Sequence, residues 1–270
     1  MMNQLPAATT CLVRERKGVK IHTLVSPGAF FANATHIIEL PDQLILVDGQ
    51  FFARYGHEFR VFADSLQKPV TRFYVTHDHP DHYLGMGDAF QDVKVYALPE
   101  IMAALQQSGP RELAEKQQQM GQLVPGKLAL PTEAVQVGEE VISGTKFIFE
   151  RIPDTESPVT LNIKLPELGI AIVQDILYHN THAFVTGPTA NWEAALKQIR
   201  DDPDYDLLLP GHGMPATKAD IDNALNYLET VNGILAKQPT PENYKKAILQ
   251  AFPSYAGEKL IDIYIPKLFK

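Results

Sequence analysis

The first half of the chain reads as short apolar runs with strand periodicity. From Gly18 to Val25 the residues Ile21, Thr23 and Val25 alternate with polar ones. Two further runs, His36-Ile37-Ile38-Glu39-Leu40 and Leu44-Ile45-Leu46-Val47, flank Pro41-Asp42-Gln43. That tripeptide is turn chemistry, so the pair predicts a hairpin closed by Asp48-Gly49. Phe59, Phe62, Ala63 and Leu66 then share one helical face. The β-branched and aromatic run Val70-Thr71-Arg72-Phe73-Tyr74-Val75 predicts a buried strand.

Beyond residue 90 the pattern continues with a strand at 93–97 and a helix over 99–106. Residues 107–127, polar and rich in Glu and Gln after Ser108-Gly109-Pro110, are expected to run over the surface as a solvated connector. A partial lid is the sharper alternative for that stretch. A second group of strands is expected at 135–138, 141–142 and 147–150, then at 170–172, and an apolar strand at 207–209. Ile221, Leu225, Leu228, Val231 and Leu235 mark one face of a helix over 217–235. Residues 241–252 and 255–268 complete a C-terminal set of packing elements spanning 217–270. Residues 1–10, extending as far as 15, read as a loose arm.

Composition narrows this picture. A chain of 270 residues, 45% apolar and 21% charged, suits one globular α/β domain over 1–270. No apolar run approaches the length of a membrane span, so no membrane partner is expected. The opening Met1-Met2-Asn3-Gln4-Leu5-Pro6 lacks a basic region leading into an apolar one, and Cys11 has no second cysteine to pair with; both lead to an expected cytoplasmic location. A net charge of −8 speaks against a nucleic-acid partner. A small-molecule substrate is the expectation that remains, and oligomeric state leaves no readable mark.

The chemistry is concentrated just after the strand at 70–75. Residues 76–82 read Thr-His-Asp-His-Pro-Asp-His, placing His77, His79, Asp81 and His82 within six residues. Pro80 stops the strand, so these side chains stand on the loop at its C-terminal end, where ligand sites of layered α/β folds tend to lie. Imidazole nitrogens and a carboxylate oxygen are the ligands a borderline divalent cation such as zinc takes. A lone histidine is usually an ordinary surface or core residue; four ligand-type groups at this spacing are a strong metal-binding signal.

This motif, its place after a strand, and the following Tyr83-Leu84-Gly85 resemble the metallo-β-lactamase-fold hydrolases. The resemblance implies a four-layer αββα sandwich with a one- or two-metal site at one edge. It also implies that Asp48 supports the metal loop from beneath. Further landmarks follow in order: Asp175 after the strand at 170–172, and His212 within Pro210-Gly211-His212-Gly213. The usual Gly-His-Thr loop is missing, because there is no histidine between His82 and His179. Asp154 or Glu156 must take its place. Thr155-Glu156-Ser157-Pro158 resembles the Thr-Glu-Ala-Pro stretch of the alkylsulfatase branch, whose glutamate is a zinc ligand, and this selects Glu156. His179 and His182, four and seven residues beyond Asp175, also match that branch. The branch's sulfate-binding arginine has no counterpart, since no arginine follows His182 before Arg200.

Carried over residue by residue, the resemblance implies one metal at His77, His79 and Glu156 and a second at Asp81, His82 and His212, with Asp175 bridging. Zinc is the first expectation, and the added carboxylate shifts preference towards iron or manganese. Asp81, Asp175, His179 and His182 are the expected catalytic residues, with Tyr83 and Tyr178 close by. The implied activity is a dinuclear hydrolase whose metal-bridging hydroxide attacks a small ester, lactone or sulfate-ester-like substrate. A mononuclear iron enzyme of the persulfide dioxygenase type and a non-catalytic metal-binding module are the alternatives.

Overall fold

The computed structural model describes residues 5–269, so the first four residues of the expected arm and Lys270 lie outside the described residues. Among the described residues, seven strands form one sheet in sequence order: β1 (Thr9–Arg16), β2 (Val19–Val25), β3 (Ala34–Glu39), β4 (Leu44–Val47), β5 (Val70–Tyr74), β6 (Val95–Ala97) and β7 (Glu133–Ala134). The first four pair antiparallel, and β3–β4 is the expected hairpin. From β4 to β7 the pairing is parallel, which requires crossover connections. Those connections carry α1 (Ala53–Ser65), α2 (Pro80–Tyr83) and α3 (Pro99–Met120).

The second sheet takes the order β12-β11-β10-β9-β8 from β8 (Gly138–Ile142), β9 (Thr145–Pro153), β10 (Val159–Leu165), β11 (Ile170–Tyr178) and β12 (Leu207–His212). Its last pair, β11 and β12, is parallel and joined through α4 (Ala190–Asp201). Helices α5 (Lys218–Leu235), α6 (Pro241–Ala251) and α7 (Glu258–Leu268) follow. Thr217 and Asp220 build a capping box that starts α5 where the apolar face begins.

Two cores give this arrangement its layers. Ile38, Tyr74, Phe147, Phe149, Ile163 and Leu209 are buried between the sheets. Ile37, Leu46 and Phe73, on the other face of the first sheet, pack with Phe59 of α1 and belong to the same core, which reaches Leu105 of α3. Phe59, Phe73 and Phe90 meet edge-on or tilted at 5.0–6.1 Å. On the far face of the second sheet, Ile176 and Leu208 pack under Trp192, Leu196, Ile221 and Leu228. Each large aliphatic side chain buried this way contributes about 1.5–3 kcal/mol. Because both faces of the central strands are covered, β3 and β4 are buried at every position. The order α/β/β/α is the four-layer sandwich the motifs imply.

Several expectations need correction. Residues 9–15 are not part of a loose arm: they belong to β1, which finds its partner in β2. The polar stretch after residue 106 is helical rather than irregular: α3 runs unbroken to Met120 through Pro110, with most of its Glu and Gln side chains at the surface. A proline inside a helix costs roughly 3 kcal/mol. The helix persists because Ile101, Leu105, Gly109 and Leu113 form a buried stripe, and because Tyr83 donates a 2.5 Å hydrogen bond to Glu112. The strand expected at 135–138 is displaced to β7, which joins the first sheet, while β8 opens the second at Gly138. β10 and α4 are absent from the expected elements, although Val159, Leu161, Ile163 and Leu165 alternate with polar residues and Trp192, Ala195, Leu196 and Ile199 share one helical face.

Among the described residues no helix is long and apolar enough to cross a membrane.

Candidate metal centre

The parallel strands β5, β11 and β12 end at one edge of the sandwich, and each delivers ligands there. A backbone bond from Leu161 N to Thr76 O (2.8 Å) ties the two sheets together beside the loop. Asp48 closes β4 with a left-handed φ of 55°, a strained conformation for a residue with a side chain. That backbone is held by three bonds to the fully buried carboxylate: from Thr76 N at 2.7 Å, Thr76 Oγ1 at 2.6 Å and His82 Nδ1 at 2.9 Å.

Those bonds also settle which nitrogens face the cluster. His82 donates from Nδ1 to Asp48, which directs Nε2 at the cluster. The Thr76 hydroxyl spends its proton on Asp48 and accepts from His77 Nδ1 at 3.1 Å. His212 donates from Nδ1 to the Phe31 carbonyl at 2.8 Å. All three imidazoles therefore turn Nε2 towards the cluster. His79 presents Nδ1, 3.0 Å from Glu156 Oε1.

The ligand-type atoms fall into three overlapping groups, one of which, Asp48 with His77 and His82, is already occupied by the bonds that Asp48 accepts from Thr76 and His82. In the other two, His77, His79, Glu156 and Asp175 have donor atoms within 4.8 Å of one another, as do Asp81, His82 and His212. Asp175 touches both: its oxygens lie 3.6 Å from His77 Nε2, 3.2 Å from His82 Nε2 and 3.4 Å from His212 Nε2. Asp81 Oδ2 lies 3.3 Å from His212 Nε2. His77 Nε2, His82 Nε2, both Glu156 oxygens and Asp175 Oδ1 are buried without an aligned hydrogen-bond partner. A buried polar atom left so costs about 1–3 kcal/mol. Divalent cations accept those lone pairs, and the donor set of imidazoles and carboxylates fits them.

Electrostatics point the same way. Burial disfavours the charged form of His79, yet Glu156 outweighs it and holds the imidazole up at about 9. Burial is likewise outweighed by Asp175 and Asp81 at His212, which is held up at about 10. Asp175 and Asp81 are pushed well below the usual carboxylate range, the histidines overriding their desolvation. Protons thus balance three carboxylates in the cluster, and a cation entering it would replace them.

The turn at 154–158 separates the two acids considered for this position. Asp154 is exposed with φ 52°, while Glu156 turns inward to full burial beside His79. Gly211 clears room for Asp175: a Cβ there would lie 1.9 Å from Asp175 Oδ1. Tyr178 donates to Asp175 Oδ2 at 2.6 Å and stacks on His212 with ring centroids 4.7 Å apart.

His179 and His182 do not join the cluster. β11 ends at Tyr178, and Asn180 turns the chain with φ 52°. His179 then bonds the Met214 carbonyl at 2.8 Å, and His182 the Tyr227 hydroxyl at 3.3 Å. Tyr83 is spent on Glu112. The supporting Phe31 carbonyl escaped sequence reasoning, since a backbone acceptor leaves no signal in residue type.

Access is uneven. Side chains of His77, His82 and Glu156 are wholly enclosed, whereas Asp81 is 16% and His79 23% exposed. Beside that opening lies a groove of about 260 Å³ between the 154–158 turn and residues 184–188.

No protein-family model and no curated protein matches the sequence. Solved structures do resemble it. A metallo-β-lactamase from Pontibacter korlensis superposes with a TM-score of 0.60 and 17% identity, covering 82% of this chain and 99% of the other. One from Hirschia baltica gives 0.57 and 19%, covering 82% and 97%. The mono-zinc form of FIM-1 from Pseudomonas aeruginosa gives 0.61 and 17%, covering 85% and 98%. At these identities the likeness concerns the fold, which is that of the metallo-β-lactamases.

Proposed function

We propose that this chain is a metal-dependent hydrolase holding two divalent cations, zinc first, and acting on a small ester or lactone. The observation that carries the reading is the meeting of two largely buried ligand groups at Asp175, with five donor atoms that lack an aligned hydrogen-bond partner. His77, His79 and Glu156 would hold one ion, Asp81, His82 and His212 the other, and Asp175 both. When bound, such a pair supplies Lewis acidity and a water whose pKa falls towards neutrality.

The chain's own groups do the remaining work. Asp48, Thr76 and the Phe31 carbonyl keep each Nε2 aimed inward, and the Tyr178 hydroxyl fixes Asp175. Asp81, partly exposed and with Oδ2 turned to the histidines, would offer Oδ1 to the proton that an attacking water loses. Cys11 lies on β1 and takes no part. A sulfate ester ranks below a carboxyl ester because none of the described residues lining the groove is an arginine. The likeness of residues 155–158 to the alkylsulfatase branch thus bears on Glu156 as a ligand, not on the substrate.

Metal content per chain, read by elemental mass spectrometry on protein purified without chelator, tests this. Wild type is expected to carry about two ions, Asp154→Ala the same, and Glu156→Ala about one. A single iron in wild type would refute the dinuclear hydrolase and favour the oxygenase alternative; a metal-free wild type would refute both.

A further inference from the structure

Helix α7 brings a cation to the mouth of this site. Tyr264 and Lys267, three residues apart on one face of α7, both meet Phe184. Tyr264 packs edge-on against its ring at 5.8 Å, and the Lys267 ammonium sits 4.9 Å from the ring centroid. Phe184 in turn lies 5.1 Å from His79, the most exposed of the ligand-type side chains. A cation on an aromatic face is positioned rather than free to wander.

Lys267 is also uncommitted. The acids of its own helix, Glu258 and Asp262, are taken by Lys245 at 3.2 and 2.8 Å. Among the described residues, none of the carboxylates pairs with Lys267. The neighbouring groove has the opposite character. It is walled by Phe184, Val185 and Trp192, carries an unpartnered buried Thr155 hydroxyl oxygen, contains no cation among its described residues, and has the exposed Asp154 at its rim. An anion is therefore disfavoured in the groove and favoured at Lys267.

We infer that the substrate carries a carboxylate, recognised by Lys267 over Phe184, a few methylenes from the bond that is cut. This rests on the hydrolase reading, and its test separates the two. Metal-loaded wild type, Lys267→Gln and Lys267→Arg are compared on p-nitrophenyl butyrate and mono-p-nitrophenyl glutarate, which share a leaving group and differ in charge. An exposed charge pair is modest, so the expected effect of Lys267→Gln is a rise in KM of about three- to fivefold for the half-ester alone. kcat and the butyrate kinetics stay unchanged, Lys267→Arg restores KM, and 0.5 M salt removes the difference. Equal kinetics in wild type and Lys267→Gln, or equal losses on both esters, overturn the inference. If neither ester is cleaved, the hydrolase reading fails by itself, and glutarate binding by calorimetry decides the rest. Weaker binding by Lys267→Gln than by wild type supports the carboxylate site; equal binding, or none by either, overturns it.

Discussion

Gly211→Ala adds one methyl group, removes no functional atom, and is expected to disable the metal centre. Gly211 does not have a left-handed φ, so alanine meets no backbone penalty there. The obstacle is space. The new Cβ would lie 1.9 Å from Asp175 Oδ1 and 3.0 Å from His82 Cε1, whereas an ordinary carbon–oxygen contact is about 3.3 Å. Asp175 or the end of β12 must therefore move by more than an ångström. Asp175 is buried, bonded to Tyr178, and close to three histidines, so it has no empty direction to take. Overpacking of this kind costs about 1–3 kcal/mol of stability. Displacing a ligand by that distance lowers turnover by about 100-fold. Elemental analysis, chelator competition and ester turnover, beside a thermal melt, read the effect. A variant that melts below wild type but folds, yet keeps two ions and full turnover, would refute the reasoning.

Two further outcomes follow from the same geometry. Tyr178→Phe removes the 2.6 Å bond to Asp175 while keeping the ring stacked on His212, and should weaken metal retention about tenfold in competition with a chromogenic chelator at unchanged circular dichroism; an unmoved chelator midpoint would show that the hydroxyl does not position Asp175. His36 is buried between Thr23 Oγ1 and the Pro210 carbonyl, and burial pushes its pKa down from 6.5 to about 4. The unfolded chain then binds the extra proton first, so this group's stability is full above pH 6.5 and is lost as pH falls towards 4, by up to about 3 kcal/mol. Urea midpoints at pH 7 and 5 should fall further in wild type than in His36→Gln, and equal falls would count against it.

The chain alone determined whatever depends on near neighbours. The run His77, His79, Asp81 and His82 is a local spacing on one loop, and it marks the candidate metal centre without reference to any distant residue. The hairpin of β3 and β4 and the capped, one-faced α5 are legible for the same reason: turn residues and periodicity act within a few positions. Tertiary structure decided the rest. β1 is a strand because β2 supplies its hydrogen bonds, and its own sequence reads as an arm. α3 outlasts Pro110 because a buried stripe and Tyr83 hold it, contacts that no local rule contains. The turn at 154–158 chose Glu156 over Asp154 by burying one and exposing the other. Parallel pairing sets Tyr178 opposite His212, which brings Asp175 and His212 to the loop. One turn beyond Tyr178 sends His179 and His182 elsewhere, although the resemblance to the alkylsulfatase branch implies them at the site. Residue type states what a side chain can bind; only the register of strands distant in sequence states what it meets.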